Sequence, residues 1–236
     1  MTPSTIAENL SHIQVRIANA AAKAGRKPDE IILIGVSKTH SAEAIREAHV
    51  AGLRHFGENR VQEWEGKRTA LEDLSPSCTF HLIGHLQSNK AARAAKYFDR
   101  VDSVDDFSLA QRLDRTTAEK SPTARLPVLL EVHIGGEETK SGVAEAELLL
   151  LAERVLTLPH VSLQGLMCIP PFSEDPEEAR PHFVHLRSLQ ENLQSRLQRE
   201  LPVLSMGMSH DFEIAIQEGS TEIRVGTALF GTRPAL

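Results

Sequence analysis

Apolar and polar positions change places in blocks along the whole chain. Near the start, Ile6, Leu10, Ile13 and Ile17 recur at helical spacing up to Gly25. Thr5 and Glu8 form a T-x-x-E pattern at the head of that run, which predicts a capped amphipathic helix. Residues 31–37 (IILIGVS) are nearly all apolar and rich in β-branched side chains, as a strand covered on both faces requires. Strands are predicted in the same way at residues 55–57, 79–83, 100–104, 127–134, 163–169, 203–208 and 222–229. Helices are predicted between them at 41–50, about 58–71, 88–97, 106–119, 144–156, 176–200 and 212–218. Eight strands separated by helices predict a single (β/α)8 TIM barrel over residues 1–236, with a doubly wound open sheet as the alternative. The extra N-terminal helix is expected to cover the bottom of the barrel.

Composition narrows the partners. The 236 residues carry 26 basic and 32 acidic side chains, a formal net charge of −6. A surface built for nucleic acid needs clustered Lys and Arg, so none is expected, although a small phosphate pocket is still allowed. With 41% hydrophobic and 25% charged residues the chain is composed as a globular domain. Two cysteines, Cys78 and Cys168, cannot make a disulfide framework, and a reduced cytoplasmic setting is expected. No apolar run approaches the ~18 residues of a membrane span, and no signal-peptide pattern opens the chain. A monomer is expected, because there is no long apolar surface helix.

In a barrel, chemistry belongs at the C-terminal ends of the strands. Ile32, Ile34, Val36 and Lys38 share one side of the first strand, so Lys38 is expected to emerge at the top. Apolar surroundings favour its neutral amine, the form that attacks a carbonyl and makes a Schiff base. The plainer reading is a lysine reaching out to solvent. The last two strands end in Met206-Gly207-Met208-Ser209-His210-Asp211 and Arg224-Val225-Gly226-Thr227. Barrels commonly hold a phosphate at these loops and at the start of a short helix. The plainer reading makes Gly207, Gly226 and Gly231 packing and turn glycines. Lys38, Ser209, Arg224, Gly226 and Thr227 together suit a phosphate-bearing aldehyde, either pyridoxal 5′-phosphate or a sugar-phosphate aldol substrate. An arginine facing a pyridine nitrogen would leave it unprotonated, a poor electron sink.

Other patterns lead elsewhere. Residues 135–141 (GGEETKS) resemble a P-loop superficially, but Thr139 stands where a glycine is required. His81 and His85 with Cys78 suggest a metal, yet strand residues four apart are separated by ~13 Å, so no metal site is expected. Asp102, Asp105 and Asp106 are explained by a strand end and a helix cap. Cys168 is expected to be inert core.

Several blocks match a known family. They are residues 34–38 (IGVSK), 55–63 (HFGENRVQE), 80–90 (FHLIGHLQSNK), 140–142 (KSG), 165–167 (GLM), 204–209 (LSMGMS) with Asp211, and 218–231 (EGSTEIRVGTALFG). Over about residues 31–233 the chain closely resembles the pyridoxal phosphate homeostasis protein family. The resemblance implies a barrel of the alanine-racemase N-terminal type. It implies pyridoxal 5′-phosphate held as an internal aldimine on Lys38. Ser209, Gly226 and Thr227 would hold the phosphate, Arg224 would face the ring nitrogen, and Asn59 and His81 would line the ring. Members resemble cofactor carriers or buffers without established turnover, and PLP-dependent apoenzymes would be the recipients. His85 departs from the residue expected after Ile83-Gly84. The competing reading is a PLP-dependent racemase or decarboxylase of the same fold type. It would need a second, all-β domain and a tyrosine opposite the lysine. The chain runs only five residues past Gly231, and its one tyrosine, Tyr97, precedes the fourth strand. A Schiff-base aldolase is the third reading, and it predicts a colourless protein.

Overall fold

The computed structural model describes residues 5–135 and 141–231. It opens with helix α1 (Ile6–Lys23), followed by β1 (Ile32–Val36), α2 (Ala42–Val50), β2 (His55–Glu58), α3 (Val61–Arg68) and β3 (Thr79–Leu82). The middle of the chain forms α4 (Ala91–Tyr97), β4 (Arg100–Val104), α5 (Phe107–Lys120), β5 (Leu126–Glu131) and α6 (Glu145–Leu156). The last part forms β6 (Val161–Met167), α7 (Arg180–Leu197), β7 (Val203–Met208), α8 (Phe212–Gln217), β8 (Glu222–Val225) and α9 (Thr227–Phe230). The eight strands close into a parallel barrel in sequence order, with β8 against β1. The barrel alternative is therefore the correct one, and the open sheet is excluded.

Local chemistry sets the elements. Thr5 and Glu8 form the reciprocal capping box at the start of α1. Ser41 caps α2, and Asp106 caps α5 through the Leu109 amide at 2.9 Å. Several boundaries differ from the sequence expectation, among them the end of β5, at Glu131 where 134 was expected. The last strand stops at Val225, because Gly226 turns the chain (φ −107°, ψ −82°) and residues 227–230 coil into α9. Residues 88–90 and 176–179 are single 3-10 turns that lead into α4 and α7.

The place of α1 also differs. Asn9, near its start, donates to the Leu229 carbonyl just after β8, at 3.0 Å. Arg26, just past its end, donates to the carbonyls of Ile216 and Ser220 just before β8. Arg16 between them pairs with Glu213 of α8 at 2.6 Å. The helix thus runs down the outside of the barrel, antiparallel to β8. It fills the ring position that the four-residue α9 is too short to occupy, instead of covering the bottom.

Most apolar side chains pack between the strands and this ring. Trp64 lies 4.3 Å from Phe80 centroid to centroid, and its indole N–H donates to the Tyr97 carbonyl at 2.9 Å. Cys78 and Cys168 are both buried here as free thiols, and burial pushes the Cys168 thiol up to about 12. No cluster of three metal-binding side chains occurs among the described residues, nor any helix long and apolar enough to cross a membrane. The P-loop-like stretch and Lys140 lie largely outside the described residues.

Candidate functional site

The lumen has two storeys. Inward-facing residues alternate along each strand: a Cβ on Gly57 would stand 3.1 Å from Ile34 and 2.8 Å from Ile83, so these three share the interior. The lower storey is ionic. Arg100 of β4 grips Asp102 through Nε and Nη2, at 2.6 and 2.9 Å, and reaches Glu222 of β8 at 2.7 Å. All three side chains are buried. Burial alone would raise the Asp102 carboxyl, but the Arg100 guanidinium beside it wins and holds it well below the usual range. Glu222 and Asp102 in turn hold the guanidinium charged against its own burial. His81 Nε2 lies 3.0 Å from His55 Nδ1, and His81 Nδ1 lies 3.7 Å from Asp102. Burial, then the neighbouring His81 and Arg100, bring His55 down from 6.5 to about 4, so its imidazole is neutral near pH 7.

The upper storey is the C-terminal mouth. Lys38 follows β1 and is half-buried. The turn behind it is fastened from three sides. The Ser37 hydroxyl donates to Glu58 at 2.7 Å, and the Lys67 ammonium reaches the Ser37 carbonyl at 3.0 Å. Thr39, at φ +66°, gives its amide to Glu63. A β-branched residue is rarely stable in that left-handed region, so the Glu63 bond holds it there. Lys67 also ties Glu58 and Glu63 together, at 3.0 and 2.6 Å.

Across the β1–β8 seam stands Arg224, 3% exposed. Its guanidinium donates to Ser205 Oγ and to the Cys168 carbonyl, each at 2.7 Å, which fixes its plane inside the lumen. Two residues on, Gly226 lies in ordinary contact distance of Val36, so the start of α9 stands beside the end of β1. The α9 N-terminus points amides to the mouth that have no acceptor in their own helix, and Ala228 N–H makes a long 3.5 Å contact to Ser209 Oγ. Gly207 has φ +93°, and a Cβ there would lie 2.5 Å from Ala215, so only glycine allows the β7 end to turn over α8. Asp211 then accepts from the Met208 amide at 2.6 Å and sets the loop that carries Ser209. Just past β2, Asn59 packs its backbone against Gly84, where a Cβ would lie 2.5 Å from the Asn59 carbonyl oxygen.

A buried, oriented guanidinium, a lysine at a strand end and a small-residue loop pair with helix-start amides are thus assembled at one end of the barrel. A family model described as "Alanine racemase, N-terminal domain" matches residues 9–234. The Pyridoxal phosphate homeostasis protein of Aquifex aeolicus (strain VF5) is 46% identical over 226 residues, which is 96% of this chain and 97% of that protein. Its namesake in Pseudomonas aeruginosa is 47% identical over 232 residues, covering 98% and 96%. The chain belongs to the pyridoxal phosphate homeostasis protein family.

The solved structures agree with that membership. PipY of Synechococcus elongatus PCC7942, determined with PLP bound, matches with a TM-score of 0.85 at 42% identity, over 96% of this chain and 100% of that one. An alanine racemase of Clostridium difficile 630 matches with a TM-score of 0.73 at 15% identity, over 98% of this chain and 57% of that one, a likeness of fold alone.

Of the residues singled out from the sequence, Lys38, Asn59, Ser209, Arg224, Gly226 and Thr227 all stand at the mouth of this family member's barrel. His81 sits lower, since it pairs with Gly57 while Asn59 lies two residues further up. Its ring edge is turned to His55 and Asp102, so it forms floor more than wall. Asp102 is not merely the end of a strand; it is half of the Arg100 ion pair. Sequence reasoning missed the Ser37–Glu58–Glu63–Lys67 fastening. Glu63 and Lys67 are an i,i+4 pair and so were legible, but only as a solvated helix face.

Proposed function

We propose that the protein binds pyridoxal 5′-phosphate at the C-terminal mouth of the barrel and acts as a cofactor carrier or buffer, without catalytic turnover of its own. When bound, this cofactor supplies an aldehyde that condenses with a primary amine and a phosphate dianion that seeks N–H donors. Lys38 is the amine in this reading, positioned by the bonds to Ser37 and Thr39 behind it. The first-turn amides of α9 with Ser209, Gly226 and Thr227 hold the phosphate. Asn59 lines one side, with His81 below. The observation that carries the reading is Arg224: buried and fixed by Ser205 and the Cys168 carbonyl, it has a face left to meet the ring nitrogen. A guanidinium that cannot give up its proton keeps that nitrogen unprotonated, which suits storage better than carbanion chemistry. The names of the relatives and the PLP in PipY support the same ligand. Tyr97 supports the carrier over a racemase, because it ends α4 at the opposite side of the barrel, where Arg68 covers its ring at 4.4 Å. Its recipients would be PLP-dependent apoenzymes in the cytoplasm.

Borohydride reduction of the protein with the cofactor, followed by peptide mass mapping, tests this. The expected result is a pyridoxyl adduct on Lys38. An adduct confined to other lysines would overturn the reading. Chiral analysis after incubation with single amino acids is expected to show no turnover, and Lys38-dependent racemisation would replace the carrier with an enzyme.

A further inference from the structure

At the end of β5, two buried side-chain atoms have no hydrogen-bond partner among the described residues: Glu131 Oε2 and His133 Nε2. They stand two residues apart, on the same side of the chain, and both residues line one cavity of about 230 Å³ together with Val132, Ile134, Ser141 and Ile169. Glu131 is 4% exposed, and its other oxygen accepts from the Ser141 hydroxyl at 2.9 Å. A buried carboxylate oxygen left without a donor is costly to keep, and native structures rarely leave one without a reason. Burial pushes this carboxyl upward, the Ser141 bond opposes it, and the Asp105 carboxylate pushes it further up. Arg224 and His85 act on it from the other direction and do not bond it.

The chemistry of the vacant acceptors selects the ligand. A carboxylate oxygen accepts only, and an imidazole Nε2 accepts when the ring proton sits on Nδ1. A group that donates twice and carries positive charge satisfies both. An anion would meet Glu131 and Asp105 with the same sign. Apart from Ser141, whose hydroxyl is given to Glu131, the remaining lining is apolar, and the volume admits a small molecule only. We propose that this cavity binds a small primary amine, with its ammonium between Glu131 Oε2 and His133 Nε2 and its short apolar body against Ile134 and Ile169. The site lies at the same end of the barrel as Lys38 but does not depend on the cofactor reading.

The test is a titration of the full chain with n-propylammonium chloride, read from the side-chain ¹⁵N resonances of His133. Saturable shifts are expected, while n-propanol and sodium propionate leave the resonances in place. Glu131→Gln is expected to weaken binding at least ~10-fold, the scale of one charge-assisted hydrogen bond. Should that variant fail to fold, His133→Leu followed by calorimetry gives the same reading. Lys38→Ala is expected to bind as the parent does, which separates this cavity from any amine exchange at Lys38. The proposal is overturned if propylammonium gives no saturable shift, if propionate matches it, if Glu131→Gln binds equally well, or if Lys38→Ala abolishes the effect.

Discussion

The two storeys of the lumen are built from the same kinds of side chain and put them to opposite use. Below, Arg100 is held by both Asp102 and Glu222, and His55 and His81 bond each other, so the ionic groups are paired and His81 Nδ1 alone of this set lacks a hydrogen bond. Above, Arg224 is anchored along one edge only by a hydroxyl and a carbonyl, and Glu131 and His133 each keep an atom unsatisfied. Buried polar groups that are fully paired specify a structure. Those left open at the mouth are provision for a ligand. The difference shows which half of the barrel is scaffold and which is site, although burial alone does not distinguish them: Arg100 and Arg224 are 8% and 3% exposed.

The sharpest break of that comparison is Arg100→Met. It strands two buried carboxylates and is expected to cost about 3–5 kcal/mol in denaturant unfolding. A loss below about 1 kcal/mol would mean that the lower network does not hold the barrel. Lys67→Met is next. It leaves Glu58 buried beside an apolar side chain and loosens the turn behind Lys38, so a loss of about 2–3 kcal/mol is expected, together with weaker cofactor retention in equilibrium dialysis. Ser209→Ala and Thr227→Ala should do the reverse of Arg100→Met. They are expected to weaken cofactor binding by about 1–3 kcal/mol each while stability stays within about 0.5 kcal/mol. Unchanged affinity in both would remove these residues from the phosphate site.

A further effect is in pH. The value for His55 drops from 6.5 to about 4 on folding, so on acidification the unfolded chain takes up this proton first. Stability from this group is therefore complete above pH 6.5 and lost progressively towards 4. The raised carboxyls of Glu58 and Glu131 act in the opposite sense, so the melting curve of His55→Asn serves as the reference. The parent should lose more stability than this variant between those limits. Parallel curves would show that the lower storey is not holding the imidazole neutral.

The barrel was legible because parallel strands covered on both faces read as short apolar runs, as at residues 31–37 and 163–169. The mouth was legible because strand ends are where a barrel keeps its chemistry, which pointed to Lys38, Arg224 and the two glycine loops. The lower network was not. Arg100 and Glu222 are 122 residues apart, and nothing in either strand announces the other. Position 226 was misjudged because residues 222–229 carry strand-like composition while the backbone at Gly226 decides the ending. Glu131 and His133 did leave a trace: two polar residues at alternate places in an otherwise apolar run, the spacing of one face.

The run of α1 down the flank of β8 has a consequence for synthesis. The residues of and just after α1 have their bonding partners, Glu213, Ile216, Ser220 and Leu229, between 190 and 220 positions further along the chain. The helix must wait, with its apolar stripe uncovered, until β7, α8 and β8 have been made. The barrel therefore cannot be sealed as a growing fragment, and a circular permutant that joins α1 directly after α9 would remove the delay.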